Sequence, residues 1–454
     1  MIKNRTELLG RGKCVRARKL LLGALEASLL AADPKKLVKK HVKFTHNILQ
    51  IADRFYSFDD FDHVYVIGAG KASGYMAEAL NEVLNDKIND GLVIIPDYFK
   101  TELKTGNIEL WYGTHPIPSS RNAKGTRKML DIVKDATTRD LIICLISGGG
   151  SALMALPYED ITITQKRKVS KELLRAGATI EEINAVRKHI SSIKGGRLAE
   201  MLSRSTIISL IISDVIGDRL DAIASGPTAP DPSTFTDAMV VLKKYRLWKG
   251  LDNDVRKIIM RGVDGKIPET PKPNSKVFKR VRNFMIGNNR LACMAAYDYL
   301  KSKGVRPVLL TTFMRGEARE VGTIVSSIVR QISRGGVLAK PVSIILGGET
   351  TVTVTGNGVG GRNQELVLSA TTGIYDVGNT AIAAIGTDGI DGNSDAAGAI
   401  ADSTTIKRAQ KMKMVPVEFL ARNNSNIFFR KLDDLILTGP TGTNVNDIVI
   451  IICL

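Results

Sequence analysis

Short runs of β-branched and aliphatic residues, each closed by glycine or proline and followed by a helical stretch, recur along this chain. Val64-Tyr65-Val66-Ile67 runs into Gly68, the run 92–95 stops at Pro96, 141–146 leads into Ser147 and three glycines, and 207–212 leads into Ser213-Asp214. Apolar runs of this length, alternating with helical segments, predict buried parallel strands covered by helices. Between 262 and 275 the rhythm breaks, and Pro268, Pro271 and Pro273 sit among polar residues as in a linker or long surface loop. It restarts with strands expected at 283–286, 308–311, 342–346 and 382–385. The segment 179–202 reads as helix, with Thr179 and Glu182 spaced as a capping box and Ile183, Val186 and Ile190 on one face. Arg187, Lys188 and His189 follow one another and so cannot share a face.

A chain of 454 residues exceeds what one core sustains, which levels off near ~250–300 residues. The expectation is therefore an α/β protein of two domains. Each has a Rossmann-like, mostly parallel sheet flanked by helices. The first domain covers residues 1–270 and opens with helices over 11–55. The second covers 280–454.

Composition changes this picture little: 44% hydrophobic and 24% charged residues are ordinary for a globular chain. The net charge of +18 matters more, because a basic surface attracts nucleic acid, acidic membrane or small anions. Lys and Arg are dispersed, and no helix-turn-helix, zinc-finger or RNA-binding signature is present, which leaves small anions and excludes nucleic acid as the main partner. Cys14, Cys144, Cys293 and Cys453 are far apart and form no CxxC pair. They read as free thiols in a reducing compartment. Arg18-Lys19 before the apolar run 20–25 resembles a signal peptide, but Glu26 interrupts it, so a buried helix face is the reading adopted. No run reaches the ~18 residues of a membrane span. A cytoplasmic protein is expected.

The candidate chemistry lies in the loops after the strands. Gly68-Ala69-Gly70-Lys71-Ala72-Ser73-Gly74 would turn backbone N–H groups toward an anion. Its spacing fails the Walker A pattern, and Ser73 stands where the third glycine of a dinucleotide fingerprint belongs. Lys71 at a helix N-terminus opposes the helix dipole and so calls for a functional reason. In Ser147-Gly148-Gly149-Gly150-Ser151, three glycines exceed what a turn needs and suit close approach to a phosphate or carboxylate. Ser213-Asp214-Val215-Ile216-Gly217-Asp218 offers carboxylates to a hard cation such as Mg²⁺, and equally suits a capped loop. The strand 342–346 ends in Gly347-Gly348-Glu349. Gly360-Gly361-Arg362-Asn363 adds further N–H groups and an arginine suited to bidentate anion recognition. The loop of Asp388 and Asp391 lacks EF-hand spacing. With no Gly-x-Ser-x-Gly elbow and only five histidines, what remains is positioning by amides, cations and a metal. Phosphoryl transfer is catalysed in that way.

Seven runs carry a resemblance over nearly the whole chain, in order. They are 66–72, 145–153, Asn184-Ala185-Val186-Arg187-Lys188-His189, Ile193-Lys194-Gly195-Gly196-Arg197-Leu198, 213–218, Gly360-Gly361-Arg362-Asn363-Gln364-Glu365 and Gly439-Pro440-Thr441-Gly442-Thr443-Asn444-Val445. The chain resembles the glycerate 2-kinases whose C-terminal half is the MOFRL domain. The resemblance implies ATP and D-glycerate as substrates, 2-phosphoglycerate as product, a divalent metal such as Mg²⁺, a cleft between the two domains, and Lys71 and Arg362 in the active site. With the loops, it makes Lys71, Arg362 and Asp214 the catalytic candidates. Gly70, Ser147, Gly148, Gly149, Gly150, Ser151, Arg187, Lys194, Glu349 and Asn363 are candidates for substrate or phosphate contact, and Asp214 and Asp388 for the metal. Thr114-His115-Pro116-Ile117-Pro118-Ser119 departs from the family pattern. The competing reading is a hydroxypyruvate reductase with a nicotinamide cofactor, resting on the partial Gly-x-Gly loop and Asp97. A homodimer is the expected assembly.

Overall fold

The computed structural model describes residues 1–11, 14–99, 102–336 and 338–454. Two compact units emerge, one Pro34–Ile286 and the other Met1–Asp33 with Gly287–Leu454.

The first unit opens with helix Pro34–His41, and the helices expected through residue 55 then give way to a small antiparallel meander, β1 (Val42–Thr45), β2 (Ile48–Ile51) and β3 (Arg54–Ser57). Its main sheet contains β4 (His63–Ala69), β5 (Asp90–Pro96), β6 (Ile108–Gly113), β7 (Asp140–Ile146), β8 (Thr206–Ile212) and β9 (Val281–Gly287), in the order β6-β5-β4-β7-β8-β9. The pairs β6–β5, β5–β4, β4–β7 and β7–β8 are all parallel. Every residue of β7 is buried, as a strand covered on both faces requires. The strand order runs outward in opposite directions from β4 and β7. Their C-terminal ends therefore flank the crevice where sheets of this kind bind ligands.

In the second unit lie β10 (Arg306–Met314), β11 (Val342–Gly348), β12 (Thr380–Gly386), β13 (Gly398–Asp402), β14 (Leu435–Ile436) and β15 (Asp447–Cys453), in the order β10-β11-β15-β12-β13-β14. Here the expectation of a mostly parallel sheet is corrected. Only β10–β11 is parallel, and β15 runs antiparallel to both β11 and β12. The final apolar run inserts between two parallel strands and starts where they end, with Asp447 opposite both Gly348 and Gly386.

The grouping of residues also differs from the 1–270 and 280–454 division. Helix Val15–Ala31 buries Leu21, Leu22, Leu25 and Leu29, as a core helix should, but against the second unit. Arg18 is fully buried there and donates to Asp402 at 2.6 Å and Asp434 at 2.8 Å. β9, expected to begin the second domain, instead lies beside β8. Asn283 on β9 donates to the Thr228 carbonyl and accepts from the Thr228 hydroxyl. The proline-rich stretch is a loop, but an anchored one, with Thr270 donating to Asp231 and Glu269 accepting from Phe235 N.

The helix expected over 179–202 is two helices, Ile180–His189 and Arg197–Met201. The Thr179–Glu182 capping box forms at its start. Gly195 and Gly196, at φ +60° and +82°, turn the chain between the two, a conformation glycine adopts without strain.

Candidate active site

At the crevice the β4 and β7 loops lock together through their backbones. Lys71 N donates to the Gly148 carbonyl at 2.8 Å, and Ala72 N to Ser147 Oγ at 3.0 Å. Ser73, in the place of a third glycine, uses its hydroxyl to hold Ser147 and the Leu145 carbonyl. These contacts bring Gly70, Lys71, Ser147 and Gly148 together. Gly149 takes φ +81°, and a Cβ there would lie 2.9 Å from His115 Nε2. A Cβ on Gly148 would lie 2.3 Å from Asp214 Oδ2, which places the β8 carboxylate directly against the loop. The reason for so many glycines is thus partly internal: they let Asp214 and His115 close on the loop. Burial and the Lys71 charge push the His115 imidazole down to about 4, so it is neutral at pH 7.

Gly148→Ala tests the Asp214 placement. The atoms in the way belong to a carboxylate side chain, which can swing aside. The fold should survive with an unchanged melting temperature while kcat falls about 10–10²-fold, since displacement of a reacting group by ~1 Å has costs of that order. Undiminished turnover would show that the carboxylate position is immaterial.

Beside this loop opens a cavity of about 760 Å³. Gly149, Ser151, Arg187 and Lys194, all expected at a site, line it together with His115 and Lys166. Arg167, Lys168 and Lys171 add further positive charge, and no Asp or Glu is among the described lining residues. Lys194 is 1% exposed and Lys166 5%. Lys194 Nζ donates to Ser151 O at 2.7 Å, Ser151 Oγ at 3.0 Å and Ala224 O at 3.3 Å. Ser151 in turn meets Ser225 Oγ at 2.8 Å, and Ser225 donates to Asn184. Lys166 Nζ donates to the carbonyls of Arg187 and Ile190, at the end of helix Ile180–His189. Arg187 Nε donates to Ser170 Oγ. Burial first, and the neighbouring cations second, hold both lysines well below the usual lysine value. Burial also lowers Arg187. Carbonyls accept from these lysines but bring no negative charge, so burial disfavours their charged forms until an anion enters the cavity and offsets that cost.

Sequence reasoning missed Lys166. The run Lys166-Arg167-Lys168 on helix Ile163–Arg175 reads like a solvated basic face. The Arg187-Lys188-His189 triplet does diverge as expected: Arg187 faces the cavity, Lys188 pairs with Asp231 and Asp221, and His189 meets Glu269.

In the second unit, Arg362 opens helix Arg362–Ile374 and forks onto Asp447, with Nε–Oδ2 at 2.5 Å and Nη2–Oδ1 at 3.0 Å, while Nη1 reaches Glu349 at 2.7 Å. Burial and nearby Asp391 push the Asp447 carboxyl up to about 7, against the pull of Arg362. The glycine loop before this helix was expected to offer free N–H groups. Instead Asp391, buried below it, accepts from Asn363 N and Nδ2 and from Gln364 N and Nε2, at 2.9 to 3.1 Å. Asn363 is 2% exposed and serves this internal carboxylate rather than facing an open cavity. Asp388 lies near the end of β12, where a Cβ on Gly386 would be 3.2 Å from its Oδ1 and 3.5 Å from that of Asp447. Among the described residues, no three His, Cys, Asp or Glu side chains gather as a metal site.

Residues 20–260 match a family described as a domain of unknown function (DUF4147), and residues 342–447 match the MOFRL family. A glycerate 2-kinase of Pyrococcus horikoshii is 41% identical over 437 residues, covering 96% of this chain and 97% of the relative. The crystal structure of a glycerate kinase from Thermotoga maritima superposes with a TM-score of 0.85 at 39% identity, covering 96% of this chain and 99% of that one. A relative in Agrobacterium vitis, 36% identical over 453 residues and covering 98% of each chain, is provisionally named a hydroxypyruvate reductase.

Proposed function

The chain belongs to the MOFRL-family glycerate 2-kinases, and from that membership we infer that it transfers the γ-phosphoryl group of ATP to the 2-hydroxyl of D-glycerate, giving 2-phosphoglycerate and ADP. The observation that carries the reading is the carboxylate-free cavity at the switch point, with Lys166, Lys194 and Arg187 in its wall. Both substrates are anions, and transfer between them is limited by charge and position rather than by covalent chemistry. In this reading Lys71 neutralises charge on the phosphoryl group in flight. Arg362, fixed by Asp447 and Glu349, is the second unit's cation for a substrate anion and spends no energy on reorientation. Asp214, set against the Gly148 loop, accepts the proton of the attacking hydroxyl or contacts the metal.

Mg²⁺ fits this donor set as an ion carried on the nucleotide phosphates. A single carboxylate at the loop suits an ion bound mostly by phosphate and water, with Asp214 or Asp388 as its protein ligand. When bound it screens phosphate charge. We further propose a cytoplasmic homodimer. No described helix is long and apolar enough to cross a membrane, and sedimentation of the purified protein checks the assembly.

The reductase reading weakens at its own motif. The amides of Lys71 and Ala72, which would be expected to hold a dinucleotide pyrophosphate, already donate to Gly148 O and Ser147 Oγ. The deciding experiment is phosphorus NMR of the products from ATP, Mg²⁺ and D-glycerate. A 2-phosphoglycerate signal is expected. Its absence, with NADH oxidised by hydroxypyruvate instead, would overturn the assignment.

A further inference from the structure

The cavity of the Pro34–Ile286 unit is lined by two chemically different sets of side chains. Its lining includes the basic side chains of Lys166, Lys194 and Arg187, with no Asp or Glu among the described lining residues. Its lining also includes Ile117 and Leu174, two large aliphatic side chains left 59% and 58% exposed. Leu174 lies on the same helix as Lys166, two turns further along. Exposed aliphatics beside buried cations suit a ligand that is anionic at one end and apolar at the other. Glycerate is polar throughout and is far smaller than about 760 Å³. A nucleotide has both the polyphosphate and the flat apolar base.

The other unit offers its glycine loop less well. Helix Arg362–Ile374 has its first amides occupied by Asp391, and Arg362 is held by Asp447 and Glu349. We propose that this cavity is the nucleotide site, with the ATP base against Ile117 and Leu174 and the phosphates toward Lys166, Lys194 and Arg187. The proposal rests on the kinase reading only for the identity of the nucleotide.

The test is the full-length Ile117→Gln/Leu174→Gln double variant, which removes the aliphatic surface without adding charge. Both positions are exposed, so folding should persist. With D-glycerate saturating, KM for ATP should rise about tenfold, the range for losing apolar contact with a substrate. KM for D-glycerate should stay within twofold. A rise in the glycerate KM with that for ATP unchanged would assign the cavity to the acceptor and overturn the proposal, and so would no change in either. Calorimetric titration with ADP in EDTA separates this proposal from the activity. Wild-type binding weakened about tenfold in the variant supports the site even if phosphoglycerate never forms. Equal affinity in both proteins, or no ADP binding by wild type, overturns it.

Discussion

Lys71→Ala should lower kcat about 10²–10³-fold and leave the thermal melt where it was. The two halves of that expectation come from different atoms. The loop is held by the Lys71 amide on Gly148 O and the Ala72 amide on Ser147 Oγ, and truncating the side chain removes neither bond. The side chain itself runs past Gly149 toward His115. Its Cγ lies 3.4 Å from where a Gly149 Cβ would be, and its charge helps keep His115 neutral. A cation poised there acts on charge that develops in the transition state, and deleting one such donor has effects of this size. If its contact forms only in the transition state, kcat and kcat/KM fall together and KM moves little.

The second readout is His115 itself. Removing the ammonium leaves burial as the main downward influence, so the imidazole should titrate above its wild-type value near 4 when followed by NMR. Lys71→Arg should restore the His115 titration but only part of the rate, because a planar fork does not occupy the position of a compact ammonium. A Lys71→Ala enzyme with wild-type kcat would remove Lys71 from the mechanism whatever the histidine does.

Lys71 was legible because it breaks a local rule: a cation at the start of helix Ser73–Leu84, after a strand and two glycines, has no reason to be there for stability. The parallel strands were legible for a similar reason, since 64–67, 92–95, 141–146 and 207–212 are almost wholly apolar, Ser209 apart, and closed by turn residues. Lys166 was not legible, because a lysine buried by tertiary packing carries the same local signal as one in water. β15 was hidden too. Its apolar run says that it is buried, but not that it enters between β11 and β12 from their far ends. That insertion brings Asp447 to Arg362, 85 residues away in sequence. Arg18 illustrates the limit for domain boundaries: it sits in an amphipathic helix, and only its partners Asp402 and Asp434 reveal which unit owns it.

Arg362→Met should cost about 3 kcal/mol of stability as well as activity, and the size of that loss follows from what the arginine leaves behind. Asp447 is fully buried, Asp391 lies close enough to raise it further, and Glu349 also faces the same guanidinium. Removing one partner of a buried pair exposes the other to the full desolvation penalty, about 3–5 kcal/mol, and the partial exposure of Arg362 argues for the lower end. The pH dependence follows in sign. Asp447 already has a folded value near 7, above its ordinary 3.8, so the folded chain holds a proton that the unfolded chain releases between those values. Stability from this group is present below about pH 4 and is lost as pH rises toward 7. Without Arg362 the carboxyl rises further and the loss extends to higher pH.

Unfolding by urea at pH 5 and pH 8 should therefore find the variant closer to wild type at pH 5. Adding Asp447→Asn should recover most of the stability at pH 8, since a neutral amide needs no counter-ion, but no kinase activity, since the cation is still missing. Recovery of both would mean that Arg362 serves only to neutralise Asp447. Recovery of neither would mean that the guanidinium packs the end of β15 in a way its charge does not explain.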